Sequence, residues 1–156
     1  MSNPIKLFIS YSWTNQDHED WVLNLAKELV ENGVHVIIDK WDLKEGQDAY
    51  AFMEKMVSDS DIKKVLIISD KKYTDKANGR DGGVGTETQI ISPEIYNKVK
   101  QEKFLPVIFE RGENGEIPKP QYLKTMLHFD LSQEEKYDSE YQRLVKRLYG
   151  IEIVEK

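Results

Sequence analysis

Residues Ile5 to Trp13, Ile-Lys-Leu-Phe-Ile-Ser-Tyr-Ser-Trp, decide how the rest of the chain is read. Ile5, Leu7, Phe8 and Ile9 make an apolar run too short for a helix and partly β-branched or aromatic, the pattern of a strand covered on both faces. Where the chain leaves that strand, two hydroxyl residues, Ser10 and Ser12, alternate with two aromatics, Tyr11 and Trp13. Ligands of an open parallel sheet sit outside the carboxyl ends of its strands. Ser10, Tyr11, Ser12 and Trp13 are therefore the first candidate binding residues.

Working outward, the pattern changes period at Asp17. Trp21, Leu25 and Leu29 with Val22, Ala26 and Val30 form two adjacent rows at a spacing of four, an amphipathic helix that Asn32-Gly33 should stop. Val34 to Asp39 reads as a second strand, and Asp39 to Asp48 as a polar loop of functional length. Ala49, Phe52, Met53, Met56 and Val57 give a second helix to about Asp59, and Lys64 to Ser69 a third, fully buried strand. Asp70 to Gly85 is long, polar and glycine-rich without a periodic pattern. A short turn carrying Glu87 and a helix from Pro93 to Gln101, capped by Ser92, are expected next. Phe104 to Phe109 is a fourth strand, Glu110 to Pro120 an irregular loop and His128 to Leu131 a fifth strand. Tyr141, Leu144, Val145 and Leu148 mark a last helix closed by Gly150. Strands alternating with helices predict an α/β, flavodoxin-like three-layer sandwich: a five-stranded parallel sheet in the order 2-1-3-4-5.

The 156 residues suffice for one domain, burying about 70% of the surface an unfolded chain would expose. Residues 1–150 are expected to be that domain and 151–156 the start of a linker to another. With 28 acidic and 22 basic residues the net charge is -6, which favours solubility and argues against a nucleic-acid partner. Lys63-Lys64 and Lys71-Lys72 flank strands, as gatekeepers of a solvated edge do. The absence of cysteine excludes disulfides, thiolate metal sites and a cysteine nucleophile. His18, His35 and His128 are dispersed, so no metal site is expected. No leader-like segment and no apolar run of membrane length is present, so a cytoplasmic location without a membrane partner is expected.

The run Gly79 to Glu87 invites a phosphate-binding reading but lacks Gly-x-x-x-x-Gly-Lys-Ser/Thr and does not follow the first strand. A flexible hinge accounts for its glycines equally well. A carboxylate after the third strand, Glu87, would by topology face the same crevice as Ser10 to Trp13. In the Asp39 to Asp48 loop two readings stay open. Trp41 either covers the core while Asp42 and Asp48 cap helices, or joins Trp13 in offering a flat face to a base or pyridine ring. Trp21 reads as core, and Tyr137, Tyr141 and Tyr149 as packing. A phosphate-binding response-regulator-like domain would need an acidic cluster ending the first strand, where hydroxyls and aromatics stand.

Phe8-Ile9-Ser10-Tyr11-Ser12-Trp13 with His18, then Val36-Ile37-Ile38-Asp39-Lys40-Trp41-Asp42-Leu43 and Gly46, resembles the first two boxes of the SEFIR branch of the Toll/interleukin-1 receptor (TIR) superfamily, bacterial type. The resemblance runs from Ile5 to about Gly150. It implies a signalling or antiviral defence effector that cleaves NAD, as substrate and with no cofactor, at the nicotinamide-ribose bond. Glu87 stands at the catalytic position, with Ser10, Tyr11, Ser12, Trp13, Asp39, Trp41 and Asp42 binding substrate. It equally implies homotypic assembly with other copies or with SEFIR and TIR partners through Trp41, Leu43, Lys44 and Gly46, and a purely adaptor role is the alternative. The position four residues before Glu87, where enzymatic TIR domains often carry tryptophan, is Gly83.

Overall fold

The strands form because their residues are apolar on both sides and can be satisfied only under two layers of helix. A computed structural model describes residues 4–79 and 89–150. Its strands are β1 (Lys6–Ser10), β2 (His35–Ile37), β3 (Lys64–Ser69), β4 (Phe104–Ile108) and β5 (Phe129–Asp130). All pair in parallel, in the expected order β2-β1-β3-β4-β5. Alternate side chains divide the core. Leu7, Ile9, Leu66, Ile68 and Val107 lie under α1 (Gln16–Glu31) on one face; Phe8, Val65, Ile67 and Phe104 meet residues such as Met53 and Val57 on the other.

β4 holds a proline inside the sheet, where a missing N–H would ordinarily break the ladder. Phe109 N–H bonds Ser69 O on the β3 side, and Ile108 O accepts from Leu131 N on the β5 side. Even-numbered positions of β4 therefore face β5. Pairing with β5 begins only at Val107, so Pro106 faces that side one step before the ladder starts.

Helix α1 starts where the Asn15 side chain accepts from His18 N at 2.8 Å, and ends at Asn32 with Gly33 at φ +89°. A Cβ on Gly33 would stand 2.5 Å from Tyr149 Oη, so the stop also makes room for the end of the last helix. Val30, placed on the buried stripe by spacing, is 47% exposed.

Several boundaries differ from the sequence reading. The second strand ends at Ile37, and its expected tail begins a one-turn helix, α2 (Asp39–Asp42), inside what reads as loop. Asp42 Oδ2 accepts from Ile38 N at 2.9 Å and closes that turn from within. The expected second helix is α3 (Ala49–Ser58), with Asp48 as its N-cap. The supposed loop after β3 opens as α4 (Lys71–Ala77), capped by Asp70 and anchored by buried Tyr73 and Ala77. The helix after Ser92 is shorter than expected, α5 (Pro93–Asn97), and the chain enters β4 through a 3-10 turn. The last helix, α6 (Glu134–Leu148), carries Leu144 and Leu148 inward, but Tyr149 beyond it is 48% exposed. Residues 80–88, which include Gly83 and Glu87, and the expected linker 151–156 lie outside the described residues.

Candidate functional site

The carboxyl ends of β1 and β3 bring together residues far apart in the chain. Ser10, the last residue of β1, is fully buried. Its Oγ lies 2.7 Å from Tyr73 Oη on α4 and donates to the Gln89 carbonyl at 2.5 Å. Tyr73 Oη also accepts from Ile91 N at 3.1 Å. Burial pushes the Tyr73 phenol up to about 12, so it keeps its proton. One hydroxyl thus ties β1, α4 and the chain entering α5 into a single corner.

Ser12, also buried, faces Thr14, whose Oγ1 lies 3.1 Å from Ser12 Oγ and 2.5 Å from Asp70 Oδ2. Asp70 accepts from Tyr73 N at 2.7 Å, and its Oδ2 lies 3.7 Å from His18 Nε2. His18 and Asp70 are each 1% exposed, with Phe109 edge-on to the imidazole at 4.3 Å. Burial holds the Asp70 carboxyl above the usual carboxylate range, while the bonds from Thr14 and Tyr73 N and the nearby imidazole pull the other way.

That raised value fixes the sign of a pH effect. The folded state holds the Asp70 proton more tightly than the unfolded chain, so its contribution is complete below the ordinary value of 3.8 and is lost as pH rises through the folded value. Asp70→Asn keeps the acceptor for Tyr73 N and turns toward Thr14 Oγ1 an amide that the hydroxyl can accept from, without the charge. Its stability relative to wild type should therefore climb as pH rises from about 4 and then level off. Urea titrations of both proteins at several pH values measure this difference. A flat or falling difference would show that the bonds from Thr14 and Tyr73 N, together with the His18 imidazole, outweigh burial.

A second cluster fastens the exit of β1 to α2. Asp39, almost buried, accepts from Tyr11 Oη at 2.7 Å, Trp13 Nε1 at 2.9 Å and Lys40 N at 2.8 Å. Burial, and next the Asp39 charge, push the Tyr11 phenol far up, so it acts only as a donor to that carboxylate. Lys40 Nζ sits 6.0 Å over the Trp13 ring and 2.8 Å from Glu19 Oε1. Ser10, Tyr11, Ser12, Trp13 and Asp39 are thus gathered at one end of the sheet, with their polar atoms engaged in holding it.

Trp41 and Asp42 face elsewhere, toward the β2 edge. Trp41 packs on the core and lines a groove of about 730 Å³ with Val30, Val34 and Val36. Asp42 lines a second groove, of about 520 Å³, between β2 and α3 with Ile37, Phe52 and Met56. Geometry therefore supports the core-covering reading of Trp41 and the capping roles of Asp42 and Asp48. Past α2, Lys44 Nζ donates to Trp41 O at 3.1 Å, Lys44 N donates to Gln47 Oε1 at 2.7 Å, and Gly46 takes φ +88°. Lys44 and Gly46 stand exposed on this braced turn and Leu43 is half-buried beside them.

Sequence reasoning missed Asp70, Thr14 and Tyr73. The one local signal was an aspartate directly after β3, three residues before a tyrosine and seven before an alanine, the spacing of an N-cap and one helical stripe. Trp21 is partly buried, edge-on to Phe109 at 4.9 Å and to Tyr137 at 6.4 Å. No group of three or more metal-ligating side chains occurs among the described residues, and no helix among them is long and apolar enough to cross a membrane.

Known proteins share the sequence pattern and the fold. A family model described as the SEFIR domain matches residues 5–140. The crystal structure of a prokaryotic SEFIR domain is similar at 47% identity and a TM-score of 0.80, covering 92% of this chain and 97% of that one. The TIR domain of a Toll-related receptor from the lower metazoan Hydra magnipapillata shares the fold, with a TM-score of 0.65 at 12% identity over 92% of this chain and 97% of that one. No curated protein sequence matches.

Proposed function

The chain belongs to the SEFIR domain family, within the TIR-type signalling domains, and from that premise we propose that it is an effector domain that cleaves NAD at the nicotinamide-ribose bond when copies of it gather. The observation that carries the reading is the corner built around Ser10. Ser10 holds the carbonyl of Gln89, two positions after Glu87 in sequence, at the carboxyl end of the central strands. Ligands of parallel sheets bind at that end. Nicotinamide leaves as a neutral molecule, so the reaction needs no general acid, unlike an ordinary glycoside. It needs a fixed negative charge near the ribosyl cation that forms, a role open to the Glu87 carboxylate.

A second reading, a binding module without turnover, is favoured by a different observation. The donors of Tyr11 and Trp13 are already held by Asp39, while the turn at Lys44 to Gln47 is braced and exposed. One experiment separates the two. Nicotinamide release from NAD is measured for the domain fused to an oligomeric scaffold and for the same domain dispersed. Release confined to the clustered form is the expected result. No release from a scaffold whose assembly is verified by sedimentation would leave the binding module as the function.

A further inference from the structure

We propose that residues 151–156 turn back on their own chain as a strap, seated in the groove between the end of α1 and β2 and pairing with Val36 on the outer edge of the sheet. The contact lies within one chain and is independent of NAD turnover.

The groove is apolar on a face that water would otherwise cover. Val30, on the α1 stripe that spacing buries, is 47% exposed. With Pro4, Val34, Val36 and Trp41 it lines a hollow of about 730 Å³, room for more than one side chain. An apolar hollow of this kind is a place for a ligand or a chain segment.

β2 is the outermost strand on that side, and its backbone is open over one short stretch. His35 N bonds Ile5 O, so His35 and Ile37 turn their backbone groups toward β1, and Val36 turns its N–H and C=O outward. The N–H groups two residues to either side are already taken, Val34 N by Leu29 O at 3.0 Å and Ile38 N by Asp42 Oδ2 at 2.9 Å. The edge therefore accepts a partner of only two or three residues. Left open, it is a template for another strand.

The chain delivers a segment of that size to that place. Tyr149 Oη, at the end of α6, donates to Asn32 O, next to Gly33, which lines the groove. Residues 151–156, outside the described chain, read Ile-Glu-Ile-Val-Glu-Lys. Three β-branched apolar residues among six is the composition of a strand, and six residues reach about 20 Å when extended. The three residues of β2 take up about 10 Å of that, and the rest can cross from α6. Lys27 in the groove lining offers a cation to Glu152 or Glu155. Residues 1–3, which lead into Pro4, carry one apolar side chain and fit the hollow less well. A short tether holds the segment at an effective concentration of about millimolar, so even a weak contact fills.

The chain has no cysteine, so an introduced pair reports position without background. Val30→Cys with Ile153→Cys is compared with Leu127→Cys with Ile153→Cys, in which Leu127 stands just before β5 at the other edge. Both are oxidised at low protein concentration with oxidised glutathione. Val30 and Leu127 are exposed, so neither pair disturbs the core, and thermal melts check folding. Cross-linking within one chain should be at least about tenfold faster for the first pair. In the cysteine-free protein, amide exchange at Val36, followed by NMR, should quicken about tenfold in Ile153→Asp, the protection lost from a segment seated nine-tenths of the time. Equal cross-linking of the two pairs, or exchange at Val36 that Ile153→Asp leaves unchanged, would overturn the strap. A disulfide of the first pair that forms only between chains, seen as a doubled mass, would overturn it in favour of a second copy as the occupant.

Discussion

Asp39→Ala should lower the free energy of unfolding by about 3–5 kcal/mol, measured by urea titration. Three donors from two segments converge on this one carboxylate: Tyr11 Oη, Trp13 Nε1 and the Lys40 N–H. Alanine recovers the cost of holding a charge out of water but strands all three. The Tyr11 hydroxyl is worst placed, since its residue is 1% exposed and its raised pKa leaves it no anionic escape. A buried donor without a partner costs about 1–3 kcal/mol, more than the net worth of the bond it lost. Tyr11→Phe, which removes one donor and leaves the carboxylate its other two, should cost only about 1 kcal/mol. The ordering matters more than either value. If Asp39→Ala cost no more than Tyr11→Phe, water would be replacing the carboxylate, and the exit of β1 would not be fastened to α2 through Asp39.

That cluster also shows where the sequence stops being legible. The strands could be read because strands buried on both faces are apolar at consecutive positions, as Val65 to Ile68 and Leu7 to Ile9 are. The order followed from alternation with helices, which restricts parallel crossovers to few arrangements. The one-turn helix at Asp39 was not legible. Its N-cap residue is Ile38, with no side-chain cap, and the turn is held by Asp42 and by bonds to Tyr11 and Trp13 formed only after folding. The helix at Lys71 was hidden for another reason: it buries only Tyr73 and Ala77, one stripe of two residues, too little for periodicity to register. The site divides in the same way. Ser10, Tyr11, Ser12 and Trp13 are contiguous and were found together. Asp70 and Tyr73 meet them from about sixty residues away, and only the topology, not any local pattern, could have suggested it.

Glu87→Gln in the clustered protein should reduce nicotinamide release by about 10²–10³-fold while leaving the melting temperature unchanged. Glutamine keeps the size and the hydrogen-bonding reach of glutamate and removes the charge. The experiment therefore isolates the one property that the reaction requires. As the bond to nicotinamide stretches, positive charge grows on the ribose, and a carboxylate fixed beforehand stabilises that state more than the ground state, which is what accelerates a step. A neutral amide would still allow NAD to bind, so KM should move little while kcat falls. The split separates the proposed role from simple substrate binding. A variant whose KM rises at constant kcat would make Glu87 a contact for substrate rather than the stabilising charge. A variant with full turnover would send the search to the carboxylates described at this end of the sheet: Asp39, already taken up by Tyr11, Trp13 and Lys40 N, and Asp70. Asp70 is a poorer candidate on present geometry: it is 1% exposed, is held by Thr14 and Tyr73 N, and burial favours its neutral form.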